Sequence, residues 1–293
     1  MKLQGVIAAI VTPLDGKREP DAKAFYDLAS WLLANGCDGL NVLGTTGEAT
    51  SFSVEQRMKL MKAAAASGLP MARMMVGTGA AAVQDAVTLA RQAADCGFAG
   101  ALVVPQFYYK NVPEDGVMRY IEAIVEATRT TQIPLYLYHY PAMSGVPYTA
   151  ALVKRLIDRF GERIAGLKDS SGDLDYARTV AKISSRFAVF PGSEASLGEA
   201  RSGVFAGCIS ATANVTSAFC ARAFHQGDDT ALAAAVRIRK LLESKPFVPG
   251  VKALLSRIRN LPALAEVLPP FMPLTEAETA SLFQAYGKIV SEP

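Results

Sequence analysis

The pattern of apolar and polar positions along the chain alternates between two periods. Short runs rich in aliphatic and β-branched residues read as strands: VIAAIVTPL (6–14), GLNVLG (39–44), ARMMVGTG (72–79) and GALVVPQ (100–106). Four more follow, IPLYLYHYP (133–141), RIAGLKDSS (163–171), FAVFPGS (187–193) and AGCISATAN (206–214). After each run, apolar residues recur at helical spacing, over 21–35, 54–67, 80–95, 113–129, 149–159, 173–184, 196–202 and 215–226. Asp21 is placed to cap the first helix. SVEQ, from Ser53 to Gln56, spells a capping box for the second.

Eight strand–helix units imply parallel strands with crossover helices. Their total length suits an α/β fold of the (β/α)8 TIM-barrel type, which typically needs about 250 residues. A doubly wound open sheet is the rival, but no GxGxxG follows the first strand, which weakens its dinucleotide-binding version. KPFVPG (245–250) then breaks the pattern, amid helical stretches at 229–244, 250–259 and 275–290. The expected organisation is a barrel over 1–226 that carries the active site. A C-terminal helical extension over 227–293 would pack on it, with no low-complexity linker between.

Composition narrows the classes. With 293 residues, 51% of them hydrophobic, the chain can bury a large core. Net charge is +3 and the 30 basic residues are scattered, so no nucleic-acid patch is expected. The first apolar run is short and interrupted by Pro13 and Asp15, unlike a signal peptide. No stretch reaches the ~18 apolar residues of a membrane span. The expectation is a soluble, cytoplasmic protein. Cys37, Cys96, Cys208 and Cys220 form no CxxC pair, and His139 and His225 are the only two histidines, so a metal site is not expected. The cysteines read as small buried apolar side chains.

In such a barrel, chemistry sits at the C-terminal strand ends. Strand 2 ends in GTTGE (44–48), strand 6 at Lys168, strand 7 in GSE (192–194), and strand 8 holds Ser210. Alternation puts Tyr136, Tyr138 and Tyr140 on one face of strand 5 and His139 on the other. If the tyrosines face inward, Tyr136 fills the barrel, Tyr138 or Tyr140 lies near the mouth, and His139 is buried and hydrogen-bonded in the helix layer. Lys168 shares parity with Ile164 and Gly166, so it too can point inward. A lysine in a partly dry cavity loses its preference for the charged state, and its neutral amine attacks carbonyls. The competing reading is a lysine that snorkels to the rim and pairs with Asp169. In GTTGE, glycines flanking two threonines suit a tight turn whose N–H groups and hydroxyls hold a carboxylate. Amine, phenol and carboxylate holder together suggest a 2-oxo acid captured as an imine.

The set GTTGE, FYYKN, YHYPAMSG, GLKDSSGD and GCISATAN, in that order across nearly the whole chain, resembles the dihydrodipicolinate synthase and N-acetylneuraminate lyase family of Schiff-base aldolases. The resemblance implies that Lys168 forms the imine with pyruvate or a related 2-oxo acid and that Tyr138 shuttles protons. Thr45 and Thr46, with Gly47 in the same turn, would bind the pyruvyl carboxylate, Thr45 also serving the proton relay. Tyr109, or Tyr108 if the register slips, would complete that relay in a neighbouring subunit. Ile209 and Ser210 would line the imine pocket. Gly192, Ser193 and Glu194 would lie where some branches bind sugar hydroxyls; for Glu194 the alternative is a favourable carboxylate near a helix N-terminus. The resemblance also implies dimers or tetramers, and no metal or organic cofactor beyond the covalent imine.

One position departs from the lysine-biosynthetic branch, which carries an arginine for the aldehyde's carboxylate where this chain has Met143. A thioether cannot make that bidentate pair, although Lys110 or another arginine could take its place. The first reading is therefore an aldolase joining pyruvate and an aldehyde, acting on a 2-oxo-3-deoxy sugar acid. The alternatives are 4-hydroxy-tetrahydrodipicolinate synthase, N-acetylneuraminate lyase, a related dehydratase, and a non-catalytic 2-oxo acid binder.

Overall fold

A computed structural model describes residues 3–292. Eight strands alternate with helices: β1 (Gly5–Ala9), α1 (Ala22–Ala34), β2 (Gly39–Val42), α2 (Val54–Ala66), β3 (Met74–Gly77), α3 (Val83–Asp95), β4 (Gly100–Val103) and α4 (Glu114–Ala127). They continue with β5 (Leu135–His139), the single turn α5 (Pro141–Ser144), α6 (Ala150–Phe160), β6 (Ile164–Asp169), α7 (Leu174–Ala181), β7 (Ala188–Pro191), α8 (Leu197–Arg201), β8 (Gly207–Ser210) and α9 (Ala213–Ala221). All neighbouring strands pair in parallel, in the order β7-β6-β5-β4-β3-β2-β1-β8. The Ala206 N–H donates to the Val189 carbonyl at 2.9 Å and closes the ring between β7 and β8. The result is the TIM barrel, not the open sheet. Asp21 accepts from the Ala24 N–H, and Ser53 and Gln56 form the capping box, as the side-chain pattern requires.

Strand alternation sorts the apolar residues into two layers. Val6, Ala8, Leu135 and Leu137 pack outward against the helices, whereas Ile7, Ala9, Tyr136, Phe190 and Ile209 fill the barrel. Tyr136 needs room: a Cβ at Gly100 would lie 2.5 Å from its ring, and one at Gly166 2.8 Å. Burial pushes its phenol pKa up to about 12, so it serves as packing. Cys37, Cys208 and Cys220 are buried and Cys96 half-buried.

Lys168 faces the barrel interior as expected, but not through parity with Ile164. Leu135 pairs with Ile164, but Tyr136 pairs with Gly166, so β6 carries one additional residue there. Ile164 packs in the outer layer and Ala165 against the interior. Past that bulge, Leu167 points outward, and Lys168 pairs in register with Tyr138 on one side and Phe190 on the other.

On the outer face of β5, His139 is buried as expected. Its Nδ1 accepts from the Tyr148 N–H at 3.1 Å, and its ring stacks on Tyr176 at 4.2 Å. Burial pulls its pKa down to about 4, so the fold holds it neutral.

Residues beyond 227 form α10 (Asp229–Glu243), α11 (Phe247–Ile258) and α12 (Glu276–Ser291). α10 and α11 pack on α9, and α12 packs on both. KPFVPG is less of a breaker than the sequence suggested: α11 starts at Phe247 and includes Pro249. A proline in the first helical turn removes an N–H that has no intrahelical partner anyway. From α11, Lys252 reaches the barrel mouth. Its Nζ donates to Glu48 Oε1 at 2.6 Å and to the Thr12 carbonyl at 3.0 Å, while Glu48 Oε2 accepts from the Leu268 N–H. Both side chains are fully buried. Among the described residues, no helix is long and apolar enough to cross a membrane.

Lys252→Met strands the Glu48 carboxylate and is expected to cost about 3–5 kcal/mol in urea denaturation. Glu48→Gln combined with Lys252→Met should recover part of that loss; equal or greater loss in the double variant rejects the coupling. His139 takes up no proton in the fold until about pH 4, whereas the unfolded chain protonates near 6.5. Its contribution is full above pH 6.5 and is lost as pH falls towards 4, on the order of 2–3 kcal/mol. His139→Asn retains an acceptor for the Tyr148 N–H and should flatten that part of the stability–pH curve, an idea an unchanged slope would refute.

Candidate active site

Lys168, one residue before the end of β6, lies inside the barrel with 4% of its surface exposed. It opens into a cavity of about 560 Å³ at the C-terminal ends of the strands. Its Nζ lies 4.3 Å from the centroid of the Tyr138 ring. Among the described residues it forms no ion pair, and Asp169 instead accepts from the Ser171 N–H at 2.9 Å. Burial raises the Asp169 pKa. The competing picture of a rim lysine paired with its neighbour therefore fails on geometry.

Tyr138 is buried beside Lys168, and its hydroxyl lies 3.2 Å from Thr45 Oγ1. Thr45 is exposed at the mouth, Thr46 is buried, and both line the cavity. Their turn is built differently from the glycine reading. The left-handed residues are Leu43 (φ 50°) and Glu48 (φ 54°), not the glycines. Gly44 and Gly47 serve close approach: an added Cβ would lie 2.6 Å from Asn41 Nδ2 at the first and 3.0 Å from the Ile10 carbonyl at the second. Non-glycine residues hold such backbone only when the surroundings over-determine it. Here the surroundings are Thr12, whose hydroxyl donates to the Gly47 carbonyl at 2.8 Å, and the buried Glu48–Lys252 pair. Gly47 itself does not line the cavity, because it faces Thr12 and Ile10. Thr45 and Thr46 are left lining the cavity.

Ile209 and Gly192 line the wall as expected. Ser210 does not: its side chain turns away from the barrel interior, and Oγ donates to Glu194 Oε2 at 3.0 Å. Glu194 is likewise misassigned as a substrate contact. It is fully buried, its carboxylate accepting from Ser210, Thr212 and Thr216 and pairing with Arg239 at 3.0 Å. A carboxylate with this many internal donors has no face left for a sugar hydroxyl. It does start the short 3-10 turn after β7, with Ser193 as N-cap.

Met143 stands exposed at the rim, on α5 just after Tyr140. Tyr140 is half-buried, 5.8 Å from Tyr138, with its phenol pKa raised by burial. Lys110 is occupied elsewhere, donating to the Phe107 and Ser144 carbonyls. Tyr108 and Tyr109 are exposed, edge to face at 5.4 Å, and neither lines the cavity of its own chain.

The tail also contributes to the site, through residues that no sequence motif marked. Arg239 and Glu243 on α10, Phe247 and Val248 on α11, and Phe271 all line the same cavity. An Arg–Glu pair at i,i+4 reads as an ordinary solvated helix face, so no local signal marked it. The assembled site offers a primary amine, a phenol and a hydroxyl in contact, beside a turn of two threonines. Among the described residues no cluster of His, Cys, Asp and Glu is placed to hold a metal ion.

The model of the dihydrodipicolinate synthetase family matches residues 2–288. An uncharacterized DapA-like lyase of Chloroflexus aurantiacus is 35% identical, over 98% of this chain and 97% of its own. A 4-hydroxy-tetrahydrodipicolinate synthase of Rhodospirillum centenum is also 35% identical, over 82% of this chain and 80% of its own. The crystal structure of YagE, an E. coli K12 prophage protein of the dihydrodipicolinic acid synthase family in complex with pyruvate, superposes with a TM-score of 0.90 at 25% identity, covering 99% of each chain. The match along almost the entire length, in sequence and in fold, means that this chain belongs to the dihydrodipicolinate synthetase family and is an enzyme of that family.

Proposed function

We propose that this family member is a pyruvate-type aldolase that works through an imine on Lys168 and acts on a 2-oxo-3-deoxy sugar acid. The observation that carries the reading is the Lys168 amine 4.3 Å from the Tyr138 ring, with the phenol 3.2 Å from Thr45, inside one cavity. The unprotonated Lys168 amine attacks the ketone carbon of the 2-oxo acid. Tyr138 gives its proton to the departing hydroxyl, water leaves, and a protonated imine remains. The Tyr138 phenolate then takes the proton of the C4 hydroxyl as the C3–C4 bond breaks. The bonding pair moves into the imine as an enamine, and the aldehyde departs. The same proton returns to C3, and hydrolysis frees pyruvate and Lys168. Thr45 passes protons between Tyr138 and solvent, and in an oligomer Tyr109 of a neighbouring subunit extends that path. Thr46 and the amides of its turn bind the pyruvyl carboxylate, a fixed set of dipoles that needs no reorganisation during the reaction.

A second reading, condensation of pyruvate with aspartate semialdehyde, is favoured by the name of the R. centenum relative. Against it stands Met143, an apolar rim residue unable to pair with a carboxylate, together with Lys110, whose amine is already bound to two carbonyls.

Borohydride reduction with pyruvate, followed by peptide mass mapping, is expected to leave a pyruvyl adduct on Lys168. Lys168→Ala should abolish adduct and turnover while the fold is retained by circular dichroism. Tyr138→Phe should lower kcat by about 10²–10⁴, the usual contribution of a proton-transferring group, with the adduct still able to form slowly. An adduct at another lysine, or none on folded protein, would reject the imine assignment.

A further inference from the structure

Apart from Lys168, one basic side chain among the described residues lines the cavity: Arg239, brought in by α10 with 19% of its side chain exposed. Its surroundings fix it closely. Nη1 donates to the Gly192 carbonyl and to Glu194 Oε2, both at 3.0 Å. Nε donates to Glu243 Oε1 at 2.8 Å. The guanidinium carbon lies 5.7 Å from the centroid of Phe247. Among the described residues Nη2 has no partner, so two N–H donors remain unused on a side chain that lines the cavity.

The charge balance matters more than the presence of the arginine. One guanidinium faces two carboxylates, Glu194 buried behind it and Glu243 beside it, half-exposed in the cavity wall. Burial opposes the arginine's charge, but Glu194 and Glu243 outweigh that and raise its pKa. A phosphate or carboxylate arriving here meets a cation already shared by two acids, and it lies against the Glu243 charge. Like charges at such range repel, and within a partly dry cavity they do so more strongly than in water. A hydroxyl meets the opposite situation. It can accept from Arg239 Nη2 and donate to Glu243, and adjacent hydroxyls can divide the two roles.

We infer that Arg239 and Glu243 form a distal subsite that selects an aldehyde bearing neutral vicinal hydroxyls and disfavours one ending in phosphate or carboxylate. The inference rests on the imine reading and narrows its second substrate. Glu243, on the last turn of α10, acts as the discriminating group, while Glu194 and the Gly192 carbonyl hold Arg239 in place.

The test compares kcat/KM for pyruvate release from a six-carbon 2-oxo-3-deoxy sugar acid and from the same acid carrying a 6-phosphate. The wild-type enzyme should prefer the unphosphorylated acid. Glu243→Gln, which removes the charge but retains a polar group, should shift the ratio of the two towards the phosphorylated acid by about tenfold, the scale of one charge-assisted hydrogen bond gained or lost. The loss on the neutral acid should appear in KM more than in kcat, since Glu243 binds the part of the substrate remote from the reacting carbons. Arg239→Met would strand buried Glu194 and could fail to fold, so the half-exposed Glu243 carries the test. Wild-type preference for the phosphorylated acid, or an unmoved ratio in Glu243→Gln, overturns the inference if pyruvate is still trapped on wild-type Lys168. Absence of trapped pyruvate on folded wild-type protein brings down the imine reading itself, and this inference with it.

Discussion

Between Leu135 and Tyr136 on β5, strand β6 fits one residue more than its partner, and that slip decides which way Lys168 points. Side chains alternate with a period of two, so a register shift of one residue moves everything beyond it to the other face. Without the bulge, parity with the outward-packed Ile164 would send Lys168 into the helix layer, beside Leu137. With it, Lys168 lies in line with Tyr138 and Phe190 across three strands. The amine, the phenol and an apolar wall then meet with no loop needed to bring them together. Rigid strands rather than flexible segments hold the proposed reacting groups, which suits chemistry that depends on sub-ångström placement.

The barrel does not finish the site alone. Two charged contacts, Glu48 with Lys252 and Glu194 with Arg239, tie the strand ends of β2 and β7 to the helices beyond residue 227. A buried pair gains little net stability over a well-packed apolar substitute, because desolvation cancels much of the attraction. Its value is directional. Glu48 must sit in left-handed backbone to reach Lys252 and the Leu268 N–H, and that same backbone shapes the threonine turn. Arg239, fixed through Glu194, lines the same cavity as Thr45 and Thr46 of that turn. The tail therefore lines the cavity as well as packing on the barrel.

Much of this was legible along the chain. Lys168, Tyr138, Thr45, Thr46, Ile209, Gly192 and Met143 all occur at strand ends or just after them, and the structure brings them to one cavity. Glu194, Ser210 and Gly47 occur in equally suggestive motifs, yet they face the packing behind the wall. A motif gives sequence proximity to the site, but side-chain direction depends on local twist and on the turn that follows. Arg239 and Glu243 went unnoticed for the converse reason: nothing in a surface-like helix segment says which end of a barrel it will cover.

The sequence by itself determined the alternation of strands and helices, hence the parallel closed sheet, and the inventory of amine, phenol and hydroxyl groups at its C-terminal rim. Those follow from local periodicity and from the handed, short connections between successive units. Only the tertiary structure decided the inward face of Lys168, the burial of Glu194, and the entry of α10 into the cavity. These depend on register across strands and on contacts between residues far apart in the chain, which no local pattern of apolar and polar positions encodes.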